Sequence, residues 1–184
     1  IRRFRVDPLT ISDLITFGTM SSDMAAYFWY AIENRASVLV AGGVAAGKTT
    51  VLNCLSMFIK PEQKIVSVED TAELNLPHEN WIPSVARMGF GSNEAEISLF
   101  DLLKAAMRQR SDYIIVGEVR GEEAYTLFQA MATGHGGLSS THADSVAASI
   151  KRLESEPMNI PRSLIVTLDA IAVQARLRLG DKTV

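Results

Sequence analysis

The run Gly42-Gly43-Val44-Ala45-Ala46-Gly47-Lys48-Thr49-Thr50 constrains this chain more than any other stretch. It has the form G-x-x-x-x-G-K-[ST], in which backbone amides wrap a polyphosphate and a lysine neutralises it. Such a loop needs a strand leading in and a helix leading out, and both are present. Ser37-Val38-Leu39-Val40-Ala41 is short, apolar and partly β-branched, as a buried parallel strand is. From Thr49 to Lys60 apolar residues recur at helical spacing. Glycines let the backbone close tightly, and amides at the helix N-terminus face the anion. Lys48 adds positive charge, and the Thr49 hydroxyl can ligate Mg²⁺. Residues 42–50 are therefore expected to bind a nucleoside triphosphate.

With 184 residues, 47% hydrophobic and 21% charged, the chain suits one compact domain. It has no apolar run of the length that spans a bilayer. The opening at Ile1 carries no basic-then-apolar leader and reads as an excerpt of a longer protein. One cysteine, Cys54, allows neither an internal disulfide nor a cysteine-based zinc site, and it fits a reducing cytosol. Net charge is −3, and basic residues gather only locally, as Arg2/Arg3/Arg5 and Arg108/Arg110. That balance leans against a DNA-binding module, while leaving room for a pore that meets DNA only in an assembly.

In chain order, residues 1–6 read as a strand at the end of a linker or N-terminal domain, stopped by Pro8. Thr10 to Asp13 opens a short helix that Gly18 breaks, and Ser21-Ser22-Asp23 opens another through Asn34. Tyr27, Phe28, Trp29 and Tyr30 make the second helix aromatic; packing on the sheet is expected, with base stacking as the alternative. Lys64 to Val68 is a strand ending in Glu69-Asp70, and a long irregular segment, Thr71 to Pro83, follows. Val85 to Met88 reads as an edge strand, Gly89-Phe90-Gly91 as a turn, and Ser98 with Asp101 as the cap of a helix to Arg110. Asp112 to Glu118 is an apolar strand with an acid at its end. A helix over Glu122–Thr133, a glycine-rich break at Gly134-His135-Gly136-Gly137 and a strand over Leu138–His142 come next. Asp144 is expected to cap a helix to Glu154, with a shorter helix over Arg162–Leu168 and a last strand over Ile171–Leu179 before a hairpin turn. The alternation predicts an α/β fold, a mostly parallel sheet with helices on both faces.

In open parallel sheets ligands bind beyond the carboxyl ends of the strands. The phosphate loop, Glu69-Asp70, Glu118 and His142 all fall there. Hydrolysis needs a metal to neutralise charge and a group that orients water. Glu118 is the candidate for the second role, with Glu69 sharing it or, like Glu118, holding the metal's water shell. A single acid at a strand end can equally be a solvated turn; two beside a phosphate loop favour chemistry. His142 can bond a γ-phosphate or a neighbouring carboxylate, and His78, in a loop, reads as solvated.

Four stretches taken together resemble the type II/type IV secretion ATPases, most of all the archaeal ones. They are Gly43 to Thr50, Val68-Glu69-Asp70-Thr71-Ala72-Glu73-Leu74, Val116-Gly117-Glu118-Val119-Arg120, and Thr133-Gly134-His135 to Thr141-His142. They stand in the order of that family's Walker A loop, Asp box, Walker B segment and His box, over about 100 of the 184 residues. The resemblance implies a C-terminal RecA-like P-loop ATPase domain over residues 1–184, with ATP as substrate and Mg²⁺ as cofactor. It also implies Glu118 and Glu69 as catalytic acids beside Lys48, and His135 and His142 as sensors of the γ-phosphate. Arg108, Arg110 and Arg120 match arginines that pair with phosphate or across a subunit boundary, although surface ion pairing fits each of them as well.

The same likeness implies a homo-hexamer on the cytoplasmic face of a membrane, working on a polytopic platform protein, with no direct nucleic-acid contact. The function it points to is a motor for secretion or for assembly of pilus- or archaellum-like filaments. A DNA translocase and a non-hydrolysing regulatory module remain as alternatives. Two departures stand out. Ala45 and Ala46 replace the family's glycine and serine, so Ala45 is strained if its position needs a positive φ. The four-cysteine motif of bacterial type II assembly ATPases has no counterpart.

Overall fold

The apolar runs become the interior strands of one six-stranded sheet, and polar caps set the starts of four helices. The computed structural model describes residues 8–87, 89, 96–176, 178–179 and 182–183. Helices α1 (Ile11–Thr16) and α2 (Ser22–Glu33) precede β1 (Val38–Gly42) and α3 (Lys48–Ser56). Then come β2 (Ile65–Glu69), β3 (Trp81–Val85), α4 (Leu99–Met107), β4 (Tyr113–Val116) and α5 (Glu123–Ala132). The chain continues through β5 (Gly136–Thr141), α6 (Val146–Glu154), α7 (Arg162–Ile165) and β6 (Ala170–Gln174). A short antiparallel pair, β7 (Arg178–Leu179) and β8 (Lys182–Thr183), follows. Thr10 with Asp13 and Ser98 with Asp101 form reciprocal capping boxes, and the Ser21 and Ser145 side chains accept amide protons at the starts of α2 and α6.

The sheet order is β3-β2-β4-β5-β1-β6, with every pairing parallel. Strand alternation divides the core in two. Val38, Val40, Tyr113 and Ile115 face α1, α2 and α3, whereas Leu39, Val66, Ile114 and Val116 face α4, α5 and α6. Helices therefore cover both faces, as the α/β reading predicts, and β1, β2, β4 and β5 are buried along their whole length. Each fully buried aliphatic side chain contributes about 1.5–3 kcal/mol. The order also puts β5 between β1 and β4, so the phosphate loop and Glu118 leave the sheet from strands that are not neighbours.

Several boundaries differ from the sequence reading. The edge strand is β3, over 81–85 rather than 85–88, and it runs through Pro83; an edge position tolerates the missing N–H. Arg87 instead bridges to Ile97 in antiparallel sense. Gly136 and Gly137 belong to β5 and are not a break. A Cβ on Gly136 would stand 2.5 Å from the Tyr113 ring, and one on Gly137 would stand 2.2 Å from Met131 Cε. Ser145, not Asp144, caps α6. In α2 only Phe28 of the aromatic run is buried; Tyr27, Trp29 and Tyr30 are exposed, which overturns the expected packing on the sheet. Trp29 stacks on Phe58 and donates from Nε1 to Glu33. His78 is half-buried rather than freely solvated, and its Nε2 lies 2.7 Å from the Ile59 carbonyl. The last strand of the main sheet ends at Gln174. The expected strand over 1–6, with Arg2, Arg3 and Arg5, the turn centred on Phe90 and the turn at 180–181 lie outside the described residues.

Candidate functional site

At the carboxyl end of β1 the chain enters the loop, and two backbone features close it. Gly47 adopts φ +87° and Ala45 φ +56°. The condition for strain at Ala45 is thus met, at a cost of about 1–2 kcal/mol for a residue with a Cβ. Gly42 has no room for a side chain, because a Cβ there would stand 2.6 Å from the Gln174 carbonyl oxygen of β6. Val44 at the loop tip is exposed.

Lys48 opens α3 and is only 8% exposed, a burial that lysine tolerates when its ammonium has partners. Nζ donates to the Gly43 carbonyl at 3.0 Å and stands 3.1 Å from Nδ1 of His142. Burial holds its pKa below the ordinary lysine value, and the negative charge of Glu118 works in the opposite direction. His142 directly follows β5, and its Nε2 lies 3.1 Å from Oε1 of Glu118. Lys48, His142 and Glu118, from three different strand ends, form one chain of polar contacts. A cleft of about 660 Å³ opens beside them, with Gly43, Val44, His142, Asp144 and Arg152 among its walls.

Glu69 ends β2 and is 3% exposed. Its Oε1 accepts from the amides of Glu73 and Leu74, at 3.0 and 3.1 Å. Burial raises its pKa, those two amides lower it, and the charge of Glu73 raises it again. Gly117 makes the placement feasible, because a Cβ there would stand 3.2 Å from Glu69 Cγ. The glycine before Glu118 thus clears the path of the other acid. Asp70 pairs with Arg120 on the surface, so within this chain Arg120 makes the surface ion pair. Buried Glu123 accepts from the Arg120 and Gly121 amides and fixes the turn after Glu118.

The remaining expected residues do not converge. His135 precedes β5 at the opposite end of the sheet, roughly 20 Å from the phosphate loop by strand rise. Its Nδ1 lies 3.2 Å from the Ala130 carbonyl. Arg108 and Arg110 are exposed at the end of α4, where the chain enters β4 from that same far end. Within one chain these three do not reach a phosphate bound at Lys48. Thr49 lies in the first turn of α3 beside the loop. With Glu118 and Glu69 it supplies only oxygen ligands, a donor set that fits Mg²⁺ held partly through water. The sequence reading missed Glu123 and Arg152; the first shows only as an acid three residues after Arg120, and the second as a basic residue one helical turn beyond Ala148.

The profile of the type II/IV secretion system protein family matches residues 1–182. Uncharacterized protein MJ1287 of Methanocaldococcus jannaschii is 58% identical over 166 residues, covering 90% of this chain and 62% of its own. The probable conjugal transfer protein TrbB of Sinorhizobium fredii is 35% identical over 158 residues, covering 84% of this chain and 46% of that protein. Among solved structures, the VirB11 ATPase of the Brucella suis type IV secretion system, in complex with sulphate, superimposes with a TM-score of 0.72 at 25% identity. It covers 95% of this chain and 55% of that one. The chain thus spans about half to three fifths of the length of these relatives.

Proposed function

The chain belongs to the type II/IV secretion system protein family, a family of RecA-like ATPases, and we propose that it is the ATP-hydrolysing motor domain of a secretion or pilus-type machine. The observation that carries this reading is the contact chain from Lys48 through His142 to Glu118 beside the phosphate loop. It brings an ammonium and a carboxylate to one strand-end crevice, which supports reading them as a phosphate-binding and a water-orienting group. In this reading Lys48 and the amides of residues 42–50 hold the phosphates, Thr49 holds Mg²⁺ directly, and Glu118 and Glu69 hold it through water. The metal supplies charge neutralisation on the phosphates. Glu118 orients the attacking water, and Glu69, fixed by the amides of Glu73 and Leu74, supports it.

Residues 1–184 are read as the C-terminal domain of a longer protein that acts as a hexameric ring at the cytoplasmic face of a membrane, against a polytopic platform protein. The family and the open side of the site support that placement. A nucleotide-binding module that does not hydrolyse is the second reading, favoured by the strained Ala45. Mg²⁺-dependent ATP turnover by the full-length protein separates them. The motor reading expects turnover that falls about 100-fold or more in Lys48→Ala and in Glu118→Gln, with ATP still bound by Glu118→Gln. Binding without turnover in the wild type supports the second reading. Wild-type turnover in Glu118→Gln removes Glu118 from its role.

A further inference from the structure

The segment that carries Glu118 has left the sheet, yet its backbone is hydrogen-bonded on both sides of that residue. The Gly117 amide donates to the Val68 carbonyl of β2 at 3.0 Å, and the Gly117 carbonyl accepts from the Ser140 hydroxyl of β5 at 2.7 Å. Val119 is fully buried and donates to the Ser140 carbonyl at 2.8 Å. Its own carbonyl accepts from the Thr141 hydroxyl at 3.4 Å. The amides of Arg120 and Gly121 both donate to Oε1 of Glu123, at 2.7 and 2.8 Å. We propose that Glu123 and Ser140 are positioning residues for Glu118: they lock segment 117–121 and so set where the Glu118 carboxylate stands. The proposal rests on the reading of Glu118 as the group that orients water.

Glu123 opens α5, and an acid at that place ordinarily serves the helix itself. Its contacts run the other way. A capping side chain accepts from amides two or three residues further on, whereas Glu123 reaches back to residues 120 and 121, which precede α5. Its carboxylate lies so close over that backbone that a Cβ on Gly121 would stand 2.8 Å from Oε2. A buried carboxylate is costly without hydrogen bonds, and Glu123 is buried, so the acid and the turn amides depend on each other. Ser140 is buried as well, and its hydroxyl donates just past the last β4–β5 pair, Val116 with Ser139. The two side chains therefore continue the hold of the sheet and of α5 onto the peptide groups around Glu118. Such a hold matters because a misplacement of about 1 Å in a reacting group can cost about 100-fold in rate.

Steady-state ATP turnover by the full-length protein tests this, with Tm measured for each variant. Glu123→Ala is expected to lower kcat about 10- to 100-fold with KM within about twofold of wild type. Glu123→Gln keeps an oxygen for both amides and is expected to restore most of kcat. Ser140→Ala, a smaller change, is expected to lower kcat about fivefold, the worth of one net hydrogen bond; it carries the test if Glu123→Ala does not fold. The Glu118→Gln background decides between positioning and general support of the fold. A residue that acts through Glu118 has nothing left to position there, so adding Glu123→Ala or Ser140→Ala should leave kcat unchanged. A further drop in that background, equal to the drop in wild type, overturns the proposal. So does a wild-type kcat in Glu123→Ala or Ser140→Ala beside an inactive Glu118→Gln, a result that leaves the reading of Glu118 standing. Full turnover in Glu118→Gln, or none in wild type, removes that reading, and the proposal falls with it.

Discussion

At Ala45 a single side chain opposes the conformation its loop requires. Its φ of +56° is one that glycine adopts freely and a residue with a Cβ adopts at a cost. Ala45→Gly removes about 1–2 kcal/mol of strain and adds back part of it through the freer unfolded chain. A net stabilisation of about 0.5–1 kcal/mol is expected, read as a higher urea midpoint with unchanged slope. A lower midpoint would show that the loop is held by contacts of the alanine methyl. Glu69 poses the opposite case, a carboxyl whose pKa burial raises. A raised folded-state pKa contributes stability in full below the unfolded value near 4.5, and that contribution is lost as pH rises through the folded value. Glu69→Gln keeps an oxygen for the Glu73 and Leu74 amides and cannot ionise. Denaturation midpoints should therefore show wild type losing stability relative to this variant as pH rises above about 4.5, and a gap that is flat with pH would contradict the burial argument. The position of Lys48 was legible from the G-x-x-x-x-G-K-[ST] pattern, and those of Glu118 and His142 because each follows a strand-like run, and in a parallel sheet such strand ends lie together. His135, Arg108 and Arg110 were not, because motif order carries no record of which end of a strand a residue occupies.

Among the elements, β5 shows how a strand can look like a turn. Four residues from Gly134 to Gly137 include three glycines, a composition typical of loops. Only Gly134 uses its freedom as a turn residue, at φ +97°. Gly136 is glycine because the fully buried Tyr113 ring of β4 occupies the place of a side chain. That ring cannot easily withdraw, since its hydroxyl lies 2.7 Å from the Ile32 carbonyl and 3.0 Å from that of Ala36. Gly136→Ala is therefore expected to cost about 1–3 kcal/mol in chemical denaturation, whereas Gly43→Ala, where a Cβ meets nothing within 4 Å, should cost far less. Equal costs at the two sites would mean that backbone entropy, not the ring, decides. The exposed face of α2 was misread for a related reason. Aromatic content predicts burial on average, but a helix at the margin of a domain buries one stripe, and here Phe28 and Ile32 supply it.

The whole molecule leaves the proposed catalytic constellation with one side in solvent. Phosphoryl transfer depends on excluding bulk water and on fixed charges around the transferred group. Yet Glu118 and His142 each leave about a third of their side chain exposed, 33% and 37%, and the cleft beside Gly43 and Val44 is open to solvent. Arg152 of α6 lines that opening and Lys48 of α3 stands beside His142, while Arg108 and Arg110 stand at the far end of the sheet, out of reach of a phosphate held by this chain's own Lys48. A site so built needs a second surface to cover it, and in the proposed ring a neighbouring copy would supply one. Turnover per chain of the full-length protein should then rise with protein concentration and fall on dilution in step with dissociation followed by light scattering. High salt, which at about 1 M screens charge pairs between exposed surfaces at distances beyond about 3 Å, should shift both curves together. Turnover that stays constant per chain down to concentrations at which only monomers scatter would mean that the domain completes its own site. In that case the cover must come from the closing of this chain's own loops on the nucleotide.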